Sequence, residues 1–181
     1  MSRNYKFHNP NGIYFISFAV VDWIDVFTRN TYSELVVKNL NYCIENKGMK
    51  IYAWVIMTNH LHLIFESTSQ NPEDLLRDFK SYTAKELMSA IKNNEQESRK
   101  EWILKTFKNA ALKNSDNSSN QFWQHHNKPI ELWSNHIKEQ KLEYIHNNPV
   151  KAGFVEKTWH WKYSSAIDYT GSKGLVNICH I

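Results

Sequence analysis

The chain of 181 residues lacks the marks of several large protein classes. Its two cysteines, Cys43 and Cys179, are far apart and in no metal-ligand spacing. That excludes a disulfide framework and predicts a reducing, cytoplasmic compartment. No apolar run reaches the ~20 residues that a membrane-spanning helix needs. The longest, "IYFISFAVV" from Ile13, is a fraction of that, so no membrane partner is expected. The opening "MSRNYKFHNPNG" is polar and has no apolar core of a secretory leader. There is no GxxxxGK[ST] stretch, hence no ATP-binding phosphate loop. No internal repeat and no dividing linker is visible, so a single domain over 1–181 is expected.

What is present is a globular profile, 41% hydrophobic and 22% charged. The net charge of +4 suits a polyanionic partner, as it suits many enzymes. Aromatic residues, 14% of the chain, stand beside basic ones, a mixture that suits single-stranded nucleic acid. The seven tryptophans serve a core equally well.

The chain alternates strand and helix signals. "IYFISFAVVD" (Ile13 to Asp22) is aromatic and β-branched and predicts a buried strand. "TYSELVVKNLNYCIENKG" has near-helical apolar spacing, and Gly48 stops it. "MKIYAWVIM" and "LHLIFE" predict two strands joined by a short turn at Thr58-Asn59. Asn71-Pro72 and two acids open a helix running to about Asn93. A further helical pattern, "SRKEWILKTFKNAALK", and the polar loop "NSDNSSNQ" are read as a helical insertion at about 93–120. "QFWQHHNKPIELW" predicts a strand or two. "SNHIKEQKLEYIHN" predicts a helix capped by Ser134 and ended at Asn148-Pro149, because the residue before proline resists the α conformation. The order fits an α+β, ferredoxin-like split βαβ fold: an antiparallel sheet with helices packed on one face and the other left free to carry a site.

The chemistry concentrates in "MTNHLHLIFES". Side chains alternate along a strand. Leu61, Leu63 and Phe65 then face the helices, and His60, His62, Ile64 and Glu66 face the open side. Two imidazoles at i and i+2 can share one divalent cation. A His-x-His triplet also arises by chance among nine histidines. A histidine-triad hydrolase needs a third histidine where Ile64 stands. A two-histidine phosphoesterase needs His-x-Thr or His-x-Ser, which is absent. No Cys or His is spaced for a structural zinc site. An open site remains, with a third group from elsewhere.

That group can come from "LEYIHNNPVKAG". At ~100° per residue, Leu142 and Ile145 share one side of the helix, while Tyr144 and Asn148 share another with Gln140 and Lys141 nearby. A boundary tyrosine with its hydroxyl in water has the same pattern. Chemically, a phenol can attack a phosphodiester to give a phosphotyrosine. It ionises only near ~10 in water and needs help. A cation would polarise the phosphate, and an amide oxygen is a hard ligand suited to Mg or Mn.

Taken together, "YAWVIMTNHLHLIFE", "FWQ" at Phe122 to Gln124 and "YIHNNPVKAGFV" from Tyr144 resemble the REP-associated tyrosine transposases. These are relatives of the single-tyrosine insertion-sequence transposases in the HUH endonuclease superfamily. The likeness runs roughly from Ile13 to Ser165. It implies a metal-dependent enzyme that cuts and rejoins single-stranded DNA next to hairpin (REP-like) elements during DNA transposition and recombination. By position, His60, His62 and Asn148 would hold Mg2+ or Mn2+. Tyr144 would be the catalytic nucleophile, keeping the 5′ phosphate and releasing a 3′ hydroxyl. Arg99, Lys100, Lys105 and Lys108 in the insertion, and His125 and His126 after "FWQ", are candidate DNA contacts. Insertion-sequence relatives tend to be dimers and REP-associated members monomers, so a monomer or a homodimer is expected, with the monomer favoured. Two rivals stay open: a non-catalytic, domesticated binder of hairpin DNA or RNA, and a metal phosphoesterase whose cleavage would survive Tyr144→Phe.

Overall fold

Six consecutive aromatic, β-branched or small residues make β1 (Tyr14–Ala19) a central strand, buried on both faces except at Ser17. The computed structural model describes residues 7–113, 119–125 and 127–181. The elements that follow are α1 (Asn30–Lys47), β2 (Met49–Ile56), β3 (His60–Ser67), α2 (Pro72–Asn93), α3 (Lys100–Leu112), β4 (Ile130–Glu131) and α4 (Asn135–Lys151). The strands form a four-stranded sheet in the order β2-β3-β1-β4 with every pairing antiparallel. This is the expected ferredoxin-like arrangement in an α+β chain.

Local signals set most boundaries. Gly48 closes α1 in the left-handed conformation, with φ 67°, and its N–H returns to the Cys43 carbonyl. Asn71 caps α2 through the Glu73 N–H at 3.0 Å, with Pro72 in the first turn. Ser134 caps α4 through the Ile137 N–H at 3.3 Å.

The two faces of the sheet are packed separately. Leu61, Leu63 and Phe65 of β3 join Ile16 and Phe18 of β1 in a large core with Val36 and Leu40 of α1 and Leu75, Leu76 and Phe79 of α2. The opposite face carries a smaller cluster of Phe15, Val55, Met57, Ile64 and Ile145, the last from α4. Full burial of one such aliphatic side chain is worth roughly 2 kcal/mol, so Ile145 is a main anchor of α4. A bulge in β2 between Ile51 and Ala53 adds one residue. It switches the strand's alternation, so Met49, Ile51, Trp54 and Ile56 all reach the large core.

One expectation needs correction. α4 does not stop at Asn148; it continues through Pro149 to Lys151. Proline forfeits a single backbone bond, to Ile145, and does so near the helix end where carbonyls go free anyway. Pro149 is also buried, so packing outweighs the bias against a helical residue before proline. The segment after α3 holds extended structure as expected, in short pieces. It meets β1 at one bridge, Val20 with Trp123, and again at β4. Between them Lys128 is left-handed (φ 44°), and Pro129 has no N–H to offer a ladder. The C-terminal tail is ordered against the edge of β2: the Ile56 N–H donates to the Tyr163 carbonyl at 2.9 Å, and the Cys179 N–H to the Ile51 carbonyl at 2.8 Å.

Helix α3 packs Ile103, Phe107 and Ala111 inward, beside α2. The turn before it is pinned by Glu97, whose carboxylate takes the guanidinium of Arg29 at 2.7 Å and that of Arg99 at 3.1 Å. Burial pushes the Glu97 carboxyl up, but Arg99 and Arg29 together hold it below the ordinary carboxylate range. Glu97→Ala leaves two half-exposed guanidiniums without their shared partner. It should destabilise the fold by about 2 kcal/mol, discounted for solvent at the arginines, as a drop in urea midpoint at unchanged slope. No helix among the described residues is long and apolar enough to cross a membrane.

Candidate active site

Antiparallel pairing places His60 opposite Ala19 and His62 opposite Ser17. Strand alternation puts both imidazoles on the α4 side of the sheet, with ring centroids 4.8 Å apart. Here α4 lies across them. The Tyr144 ring centroid is 5.2 Å from that of His62, edge to face. Phe15 completes the wall, stacked on His62 at 5.5 Å and edge-on to Tyr144 at 5.8 Å. Tyr144 itself is 39% exposed, so its ring is reachable from solvent. Because the helix continues past Pro149, half-buried Asn148 stays one turn beyond Tyr144 on the same stripe. His60, His62 and Tyr144, far apart in sequence, are thus brought together.

The two histidines differ in their surroundings. Asn59 donates its amide N–H to the Asp25 carboxylate at 2.9 Å and to the Trp23 carbonyl at 3.2 Å. Its amide oxygen therefore faces His60 Nδ1 at 2.7 Å and must accept a proton from it. That fixes the tautomer with the proton on Nδ1 and leaves Nε2 as a lone-pair donor, the usual outer support of a metal-binding histidine. Burial lowers the His60 pKa, partly offset by Asp25. His62 is only 4% exposed, and neither ring nitrogen has a hydrogen-bond partner. Burial, then His60, then Lys141 push its pKa down to about 3. A buried imidazole held neutral with unused nitrogens costs stability unless something binds it. The donor set thus fits a divalent cation with imidazole nitrogens and an amide oxygen. No group of three or more His, Cys, Asp or Glu suited to a metal occurs among the described residues.

The electrostatics favour an anion. The Lys141 ammonium lies 4.9 Å from the Phe15 ring centroid and 5.6 Å from that of Tyr144. It sits one turn before the phenol on the open side of the site. Glu66, at the far end of β3, is instead paired with Lys50 at 2.8 Å. His146 turns away from Tyr144 and bonds Ser165 Oγ at 2.9 Å. A cavity of about 440 Å3 between α1 and α2, lined by Asn39, Cys43 and Phe79, lies in the other layer and holds none of these groups.

The remaining nominated residues lie outside this cluster. The Arg99 guanidinium is engaged by Glu97 and by the Asp25 carbonyl at 3.2 Å. Lys105 and Lys108 are exposed on α3, and Lys100 is half-buried at its start. His125 is exposed next to Gln124, whose N–H bonds the Ala19 carbonyl at 2.9 Å. His126 lies outside the described residues. The sequence alone does not single out Asn59 or Asp25. Its only hint is an asparagine at a turn, directly before the first histidine. Asn59→Ala should loosen His60 and weaken Mn2+ binding by roughly 10- to 100-fold in calorimetry, with the fold intact by circular dichroism.

With this geometry described, similarity to known proteins becomes informative. A family model described as "Transposase IS200 like" matches residues 14–109. That span runs from β1 into α3 and includes both histidines, but not α4. Among solved structures, the chain is similar to a REP-associated tyrosine transposase bound to a REP hairpin. The identity is 15%, the TM-score 0.66, and the match covers 99% of this chain and 92% of that one. At that identity the likeness establishes the fold. No curated protein gives a significant match.

Proposed function

Because this chain belongs to the IS200-like transposase family, we propose that it is a metal-dependent single-stranded DNA endonuclease and strand transferase using a 5′-phosphotyrosine intermediate. The observation that carries this reading is the Tyr144 ring, solvent-reachable and 5.2 Å from buried His62. A nucleophile beside two imidazoles, one of them buried with neither nitrogen partnered, on an open face, suits a polymer substrate better than a small molecule in a closed pocket.

In the proposed reaction Tyr144 Oη loses its proton to solvent and attacks the scissile phosphorus. The bond from phosphorus to the 3′ oxygen breaks, and the 3′ oxygen leaves as a hydroxyl after taking up a proton. The 5′ phosphate stays on Tyr144. Attack by a 3′ hydroxyl on that phosphotyrosine reverses the step and rejoins strands. One phosphodiester replaces another, so no nucleotide hydrolysis is needed. His60 Nε2, His62 and the Asn148 amide oxygen would hold Mg2+ or Mn2+, which would polarise the scissile phosphate. Lys141 offers a fixed positive charge to the phosphate where charge builds in the transition state. Phe15 packs against both rings and limits their rotation.

The partner is single-stranded DNA bearing a hairpin, by analogy with the REP hairpin held by the structural neighbour. Lys100, Lys105, Lys108 and His125 are read as contacts to its phosphates, which makes binding salt-dependent. Arg99 acts through the Asp25 carbonyl and supports the histidine loop. The test uses end-labelled hairpin oligonucleotides from the gene's own flanks, with Mn2+, on a denaturing protein gel. A covalent band that disappears with EDTA is the expected result. Tight binding without any adduct would turn the reading to a hairpin-binding protein.

A further inference from the structure

Among the described residues, Trp23 is the one large aromatic stacked edge-on against the histidines that the chemistry above does not use. It ends the short turn Val21–Trp23 and is 56% exposed. Its ring centroid lies 5.7 Å from that of His60, edge to face. Asp22 and Trp23 both have left-handed backbones, with φ of 53° and 54°. Aspartate tolerates that region, but tryptophan rarely enters it. The surroundings enforce it. The Val20 N–H bonds the Asn59 carbonyl at 2.8 Å, and the Val21 N–H bonds the Phe122 carbonyl at 2.9 Å. The Trp23 carbonyl accepts from Asn59 at 3.2 Å, and the Asp25 carbonyl from Arg99 at 3.2 Å. Val21, Ile24 and Val26 on either side are buried. The turn is tied down at both ends, strained in the middle, and directs an indole into solvent at the edge of the site. Such strain tends to be kept where function uses it.

We infer that Trp23 is a stacking platform for one unpaired base of the DNA strand, next to the phosphate that enters the histidine site. The inference rests on the strand-transfer reading and deepens it. An exposed indole beside a phosphate site meets a base because every base has a flat π face. The local charge agrees. The exposed Asp22 carboxylate repels a phosphate but can accept from an exocyclic amino group of adenine, cytosine or guanine. The platform therefore selects a base over a backbone, and thymine is the base it favours least.

The test uses Tyr144→Phe protein, so that binding is read without cleavage, and a hairpin oligonucleotide scanned with single abasic sites around the cleavage position. One abasic site should weaken binding by roughly 5- to 100-fold. In the Trp23→Ala, Tyr144→Phe protein that same site should cost nothing further, and Trp23→Phe should keep most of the sensitivity. Mn2+ affinity should be unchanged in Trp23→Ala. Sensitivity that persists without the indole, or no sensitive position at all, overturns the platform. So does a loss that follows Mn2+ affinity, since Trp23 would then only brace His60. The oligonucleotides are also run with Tyr144 intact. Cutting without a sensitive position overturns the platform alone, whereas neither cutting nor adduct overturns the strand-transfer reading and the platform with it.

Discussion

Tyr144→Phe is expected to remove the covalent protein–DNA band completely and to lower strand cleavage by roughly 10^3-fold or more. The change deletes one oxygen and leaves the ring. The edge-to-face contacts of Tyr144 with His62 and Phe15 involve the ring alone, so packing should be kept. At 39% exposure the hydroxyl is not a core group whose loss would unfold the helix. Hairpin binding and melting temperature should therefore match the parent. The comparison separates the two catalytic readings. A phosphodiesterase that activates water would go on cutting in Tyr144→Phe and release free ends. A strand transferase would bind the same DNA and stop.

The second large effect is a trade between stability and activity at His62. Its ring is buried with both nitrogens unpartnered. An apolar side chain of similar size removes that penalty, so His62→Leu should raise metal-free stability by about 1–3 kcal/mol. On the proposed reading the same change should lower cleavage by roughly 10^3-fold, because His62 would no longer help hold the cation that polarises the phosphate. Mn2+ gives an independent check. At a hundredfold excess over its dissociation constant, a cation bound only to the folded state stabilises it by about 2.7 kcal/mol. The parent should show an Mn2+-dependent rise in melting temperature, and His62→Leu should lose most of it. A variant that is less stable without metal would mean that His62 is ordinary packing.

The comparison of sequence with structure turns on how far apart the interacting residues are. Period-two alternation was enough to put His60 and His62 on the face opposite Leu61 and Leu63, because β3 pairs with β1 in unbroken register. Gly48, Asn71 and Ser134 act within one turn of their own position, and they are legible for the same reason. Pro149 misleads because the local rule is weak near a helix end, and its burial overrides it. Arg99 looks like a free cation in the sequence; Glu97 is two residues away, but the Asp25 carbonyl is not. The Asn59–Asp25 support of His60 depends on a loop folding back across the sheet, and no periodicity reports that. The family match ends at residue 109, so Tyr144 is placed by the packing of α4 on Ile64, Val55 and Phe15.

The tail laid along β2 has a consequence for the chain's behaviour in a crowded solution. A sheet edge carries a row of unpaired N–H and C=O groups that a second molecule can extend. β2 is eight residues long and apolar at most positions, the kind of edge that recruits neighbours into growing β-assemblies. Backbone bonds at Ile56 and Ile51, and the Val55–Ser164 bridge, already occupy part of that edge from within the same molecule. The segment from Tyr163 to Cys179 therefore serves as an intramolecular guard. Chains cut short before Tyr163 would present a sticky template and be drawn toward aggregation and proteolytic clearance.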